Sequence, residues 1–245
     1  MMERGERSCL LAIPCFRESR RLPAFLSDLM MRLGQSGLNV DVQVVDDGSG
    51  PVEYGKLTAI LGGYGKSDRV PPVIGLSPHK GKGAAIRAAW DSAGEHYDWL
   101  GFVDADGAVP AAEVVRLLDY VINRAPESDV IVGSRMVCGD TGCVVRRVWH
   151  RKMIGMLFAK AVRCRLHLPV RDTQCGFKVV RSQAYAAVQT GLKVDGLGMD
   201  LELLSALVRA GYRITEKGVD WMERPGSRTP WREHLRLIKS LMTVR

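Results

Sequence analysis

The chain has 245 residues, 46% of them hydrophobic and 25% charged, which suits one large α/β domain better than two independent ones. A chain of this size buries most of its apolar surface and needs no disulfide or metal staple, so stability does not account for its polar clusters. The net charge of +8, from 35 Lys+Arg against 27 Asp+Glu, favours acidic partners such as an anionic membrane surface or phosphorylated small molecules, with a solvated basic face as the plain alternative; no nucleic-acid motif accompanies it.

Residues 1–7 are polar and lead straight into a strand rather than into a signal-peptide apolar region. The longest charge-free apolar stretch near a helix, Met153 to Ala159, is far short of the ~18–20 residues that span a bilayer. The expectation is a cytoplasmic protein with no signal peptide and no transmembrane helix. Cys9, Cys15, Cys138, Cys143, Cys164 and Cys175 are scattered, with no C-x-x-C pair, a pattern of reduced thiols rather than of a structural zinc site.

The first half alternates short apolar runs with helical periodicity. Strands are predicted at Cys9–Ile13, Val40–Val45, Val73–Leu76, Trp99–Val103 and Asp129–Val132, with helices at Leu22–Leu33, Glu53–Leu61, Ala84–Ala93 and Ala111–Ile122. In the last helix Val114, Leu117, Leu118 and Val121 recur at i, i+3, i+4, i+7. Repeated β-α-β units imply a mostly parallel central sheet flanked by helices, with ligands beyond the carboxyl ends of its strands. The second half predicts a basic helix from Arg146 to Arg165, a strand at Cys175–Val180, helices at Ser182–Gln189 and Met199–Ala210, an extended segment at Tyr212–Trp221 and a basic helix from Trp231 onward.

Two strands run into acidic pairs, Asp46-Asp47-Gly48-Ser49 and Asp104-Ala105-Asp106-Gly107. An Asp-x-Asp on extended backbone points both carboxylates to one side, where two hard oxygen ligands suit Mg²⁺ or Mn²⁺ with substrate phosphates completing the shell. Turn chemistry is the plain alternative. A third strand leads to His79-Lys80-Gly81-Lys82-Gly83 and a helix, where glycines, lysines and a helix N-terminus would favour a phosphate.

Ile13-Pro14-Cys15-Phe16-Arg17-Glu18, Val45-Asp46-Asp47-Gly48-Ser49, Gly81-Lys82-Gly83 and Asp104-Ala105-Asp106-Gly107 stand in the order found in family 2 glycosyltransferases. Gly133-Ser134-Arg135, Asp172-Thr173-Gln174-Cys175-Gly176-Phe177-Lys178 and Asp200-x-Glu202-Leu203-Leu204 resemble the dolichyl/polyprenyl-phosphate glucosyltransferase and mannosyltransferase branch. The resemblance covers about residues 9 to 228. It implies a GT-A type nucleotide-sugar-binding fold as a single domain over residues 8–228, followed by a basic amphipathic helix over 229–245.

By that resemblance Pro14, Phe16, Glu18, Asp46 and Asp47 surround the base and ribose of the donor, Lys82, Ala105 and Arg228 complete the donor site, and Asp104 and Asp106 hold the Mg²⁺ or Mn²⁺. Arg17 and His79 depart from the Asn usual at each position and bear on donor identity. Ser134, Arg135, Arg151 and Gln174 are placed on the acceptor side. Asp200, Asp172 and Arg135 are the catalytic candidates, Asp200 as a base or, in the plain alternative, as a helix N-cap.

The implied reaction is inverting transfer of a sugar, glucose favoured, with UDP-glucose as first donor and GDP-mannose as second, to a polyprenyl or dolichyl phosphate. A phosphate monoester with a second pKa of about 6 is already largely ionised at pH 7 and needs positioning rather than a base, whereas a hydroxyl acceptor requires one. Arg135, Arg146, Arg147, Arg151 and Lys152 favour the phosphate. The basic, apolar helices at 146–165 and 231–245 suit a membrane surface, or alternatively present a core-facing stripe. The protein is therefore expected to be peripheral on the cytoplasmic face, with an integral-membrane partner also allowed. Two other readings stand beside this one: a family 2 transferase acting on a sugar or small-molecule hydroxyl, and a non-catalytic nucleotide-sugar or lipid-phosphate binding protein.

Overall fold

The computed structural model describes residues 7–64, 69–124, 127–137, 145–146, 162 and 165–224. Arg151, Arg228, Cys138, Cys143, Cys164, most of the helix expected at 146–165 and the helix expected at 229–245 lie outside them.

In chain order the elements are β1 (Ser8–Cys15), α1 (Leu22–Ser36), β2 (Asn39–Asp46), α2 (Pro51–Gly62), β3 (Ile74–Gly75), α3 (Lys82–Ser92), β4 (Trp99–Val103), α4 (Ala111–Asn123), β5 (Val130–Ser134) and β6 (Val145–Arg146). There follow β7 (Phe177–Arg181), α5 (Ser182–Val188), a 3-10 turn at Gln189–Gly191, α6 (Met199–Arg209), β8 (Ile214–Gly218) and β9 (Trp221–Met222). Seven strands form one sheet in the order β3-β2-β1-β4-β7-β5-β8. All its neighbours pair in parallel except those of β7, which is antiparallel to both β4 and β5. Six strands therefore end, and β7 begins, at one edge of the sheet.

Alternation along the strands builds two cores. Cys9, Leu11 and Ile13 of β1, Trp99 and Val103 of β4, and Phe177 and Val179 of β7 face α1, α2 and α4. Leu10 and Ala12, Leu100 and Phe102, and Val180 face α3, α5 and α6. On α1 the spacing of Leu22, Phe25, Leu26, Leu29 and Leu33 gives one buried stripe, and Gly37 at φ 69° ends the helix in the left-handed conformation that favours glycine.

Two expectations shift. The strand expected at 73–76 shrinks to two residues, because Pro71, Pro72 and Pro78 around it cannot donate to a ladder. The single extended segment at 212–221 divides into β8, which pairs with β5, and β9, which pairs with β6 in a separate small sheet.

Candidate active site at the carboxyl edge of the sheet

The loops after β1, β2, β4 and β5 and the loop before β7 meet at this edge. Asp104, the first residue past β4, donates its N–H to the Gly176 carbonyl at 2.9 Å. Its Oδ2 lies 2.1 Å from where a Cβ on Gly176 would stand, so only glycine lets the two loops approach this closely. Asp104 Oδ1 is 2.6 Å from Lys82 Nζ. Asp106 sits in a turn rather than on extended backbone, and its Oδ1 accepts the Ala108 N–H at 2.9 Å. The Asp-x-Asp pair is therefore not on extended backbone as expected; a turn brings the carboxylates together, and turn chemistry accounts for one oxygen of Asp106. Glu18 leans into the same space, held by Arg21, whose Nε donates to Oε2 at 2.7 Å.

These carboxylates act on one another. Burial, then the charge of Asp104, raises the Asp106 pKa. Burial also raises that of Glu18, against the opposing hydrogen bond and charge of Arg21, and Asp106 and Asp104 add to the rise. Repelling oxygen donors and a close cradle at Gly176 fit a hard divalent cation. No group of three or more His, Cys, Asp or Glu side chains among the described residues is arranged to hold one alone, so substrate oxygens would complete its shell.

Beside them lies a different arrangement. Phe16, 39% exposed, stacks on His79 with ring centroids 4.1 Å apart, and the Arg17 guanidinium lies 5.1 Å from the Phe16 ring. Arg17, at φ 57°, is fixed by its N–H to Ser49 Oγ at 2.8 Å. The two residues noted as departures from the family pattern therefore flank one aromatic ring.

The carboxylates of Asp46 and Asp47, expected at the donor, are both buried. Asp46 Oδ2 accepts the Ser49 N–H at 3.1 Å. Asp47 accepts the N–H groups of Lys80 at 2.9 Å and Gly81 at 2.8 Å, and its Oδ2 lies 2.9 Å from His79 Nδ1. In the Gly81-Lys82-Gly83 turn the Gly81 N–H, like that of Lys80, is taken up by these contacts. Those amides serve Asp47, and the Ala84 N–H goes to the Asp195 carbonyl at 3.1 Å. The glycines serve packing instead: a Cβ at Gly81 would lie 2.5 Å from the Asp195 carbonyl oxygen, and one at Gly83 2.6 Å from Met199 Cβ.

On the other flank the charges are paired. Arg135 forks onto Asp172 at 2.6 and 2.7 Å, and its ring-facing guanidinium lies 5.6 Å from Trp221. Burial works against ionisation of Asp172, but the hydrogen bond and charge of Arg135 outweigh it and lower the pKa. The Arg171 and Asp172 N–H groups are accepted by Glu216. Ser134 Oγ accepts the N–H groups of Met136 and Val137 at 3.0 and 3.1 Å. Gln174 is half-buried beside Asp172, Pro14 is half-buried near the end of β1, and Ala105 is buried. Asp200 is no N-cap: it lies inside the first turn of α6, and its Oδ1 is 2.6 Å from Lys178 Nζ, with both side chains buried. Cys175, between these pairs, is buried, and burial followed by the Asp172 charge pushes its thiol up to about 12, an inert group.

The structure adds Lys178 and Arg21 to the site. Lys178 alternates with Phe177 and Val179 and so points into the α3/α5/α6 core, where a lysine requires an acidic partner. That requirement was readable from β7 alone. Arg21 carried only its three-residue spacing from Glu18.

Three comparisons bear on this site. The residue pattern described as Glycosyl transferase family 2 matches residues 11–188. A dolichyl-phosphate beta-glucosyltransferase of Dictyostelium discoideum is 24% identical over 95% of this chain and 72% of its own length, and one of Mus musculus is 29% identical over 96% and 74%. Among solved structures, glucosyl-3-phosphoglycerate synthase from Mycobacterium tuberculosis in complex with Mg²⁺ and uridine diphosphate superposes with a TM-score of 0.67 at 16% identity, covering 97% of this chain and 79% of that one. That likeness concerns the fold, which is of the GT-A type.

Proposed function

Since this chain belongs to glycosyl transferase family 2, we propose that it transfers glucose from UDP-glucose to a polyprenyl or dolichyl phosphate, working as a peripheral protein at the cytoplasmic face of a membrane. The names of the relatives support the glucose and the lipid phosphate. Among the described residues no helix is long and apolar enough to cross a membrane.

The observation that carries the choice of acceptor is the buried Lys178–Asp200 pair. A base at Asp200 would have to accept a proton, leaving the fully buried Lys178 ammonium without the carboxylate 2.6 Å away, beside the Cys175 carbonyl at 3.0 Å and the Phe102 ring, a costly state. A phosphate acceptor asks for no such step, since it arrives ionised. A hydroxyl acceptor would.

Asp104 and Asp106 would hold a divalent cation, Mg²⁺ or Mn²⁺, which would supply Lewis-acid neutralisation of the charge on the departing diphosphate. Lys82 adds positive charge at the same place. Arg21 steadies Glu18 where it adjoins the pair. Phe16, with His79 and Arg17 around it, offers a flat, partly exposed surface for the donor. Attack on C1 from the face opposite the leaving group inverts the anomeric centre.

The test is direct. Incubating the protein with Mg²⁺ or Mn²⁺, polyprenyl phosphate and labelled UDP-glucose should move label into the lipid phase, with less from GDP-mannose. No lipid-phase label from any donor sinks the proposal. Label in a sugar acceptor, lost when Asp200 becomes Asn, would favour the hydroxyl reading instead.

A further inference from the structure

Lys82 opens α3 and stands between two carboxylates. Its Nζ lies 2.6 Å from Asp104 Oδ1 and 4.7 Å from the centroid of the Phe102 ring. Lys178 Nζ lies 5.2 Å from the same ring and 2.6 Å from Asp200 Oδ1.

An ammonium and a divalent cation on one partly exposed carboxylate are like charges a few ångströms apart, and they oppose each other there. The lysine is the movable one, a point charge on a flexible stem. Asp200 is paired with Lys178 at 2.6 Å, and Asp106 would share the cation with Asp104. The new negative charge available to the ammonium is then the ligand's own diphosphate, which arrives with the cation.

Building on the reading that Asp104 and Asp106 hold the cation, we propose that Lys82 is an exchangeable counter-ion of Asp104, which opposes binding of a divalent cation alone and releases the carboxylate when the cation arrives with a nucleoside diphosphate. Cation and diphosphate then each strengthen the other's binding, and the coupling is reciprocal. Loss of Lys82 should cut that coupling from both sides.

The experiment measures Mn²⁺ binding by electron paramagnetic resonance and calorimetry, with and without UDP, for the unaltered protein, Lys82→Met and Lys82→Arg, each checked for fold by circular dichroism. Lys82→Met should bind Mn²⁺ alone about tenfold more tightly, within the usual range of coupling, and UDP should then enhance Mn²⁺ binding less than it does in the unaltered protein. Lys82→Arg keeps the charge and should keep the antagonism, so it reads the proposal even if the methionine variant does not fold. Equal Mn²⁺ affinity in the folded Met variant and the unaltered protein, or an Arg variant that binds Mn²⁺ alone as tightly as a charge-free site, overturns the inference and leaves the metal reading standing. No Mn²⁺ binding to any of the proteins, with or without UDP, overturns both.

Discussion

Asp104 and Asp200 are both within electrostatic reach of Lys82, yet they sit in opposite surroundings. The Asp104 side chain is 40% exposed and shares its space with Asp106 and Glu18, which repel it. The Asp200 side chain is 3% exposed and meets a lysine with no exposure at all. The same contrast runs along the sheet edge. On the side of β1 and β4 the acidic groups are crowded together and incompletely compensated. On the side of β5 and β7, Arg135–Asp172 and Lys178–Asp200 are closed pairs. Crowded carboxylates raise the energy of a protein unless a cation relieves them, which marks the first region as a place for ligands. Closed buried pairs fix geometry and leave little charge for a substrate. They brace β7, the strand that runs against its neighbours, and hold the floor of the site.

The sharpest way to break this contrast is to open one of the closed pairs. Lys178→Met should destabilise the protein by about 3–5 kcal/mol, the usual cost of stranding one partner of a buried pair, read as a lowered urea midpoint. Lys178→Met combined with Asp200→Leu should recover most of that loss, since a well-packed apolar replacement of such a pair is often neutral. Failure of the double variant to recover would mean that the pair does more than brace. The Arg135–Asp172 fork should show itself in acid. The Asp172 pKa is lowered in the folded state, so the stability it lends is complete above the unfolded Asp value of about 3.9 and is lost as pH falls through the lower folded value. Asp104→Asn, on the open side, should act on rate instead: a loss of about 100–1000-fold in turnover with an unfolding midpoint close to that of the unaltered protein. A large loss of stability in this variant would place Asp104 among the braces.

How much of this was legible in the sequence follows the same division. The strands and helices of the first half were readable because Val114, Leu117, Leu118 and Val121 carry helical period and Cys9–Ile13 is an unbroken apolar run of strand length. The acidic strand ends were readable because Asp and Gly after an apolar run are local signals. The pairing of Lys178 with Asp200 joins β7 to α6 across the core, and no local spacing encodes it. Nor could sequence tell that the glycines at 81 and 83 serve the passage of residues 194–199, because that contact joins segments more than a hundred residues apart. The inward turn of Asp47 has the same origin: its partners, Lys80 and Gly81, come from a loop after another strand.

The smallest effect has the most discriminating sign. Asp106 has a folded-state pKa raised first by burial and then by Asp104. Its contribution to stability is therefore fully present below the unfolded value and is lost as pH rises through the folded one, leaving a constant penalty at neutral pH. Asp106→Asn removes that penalty and should raise the melting temperature at pH 7.5 without added metal. The rise should be about 2–4 °C, the response of a chain of this size to about 1 kcal/mol. The gain should shrink in more acid solution, where the carboxyl of the unaltered protein is already protonated. Saturating Mn²⁺ with UDP should stabilise the unaltered protein and not the variant, so that the order of their melting temperatures reverses. A variant less stable than the unaltered protein at every pH would mean that the Asp106 carboxylate is needed as the acceptor of the Ala108 N–H more than it is opposed by its neighbour, and the two flanks of the site would then differ less than the distances imply.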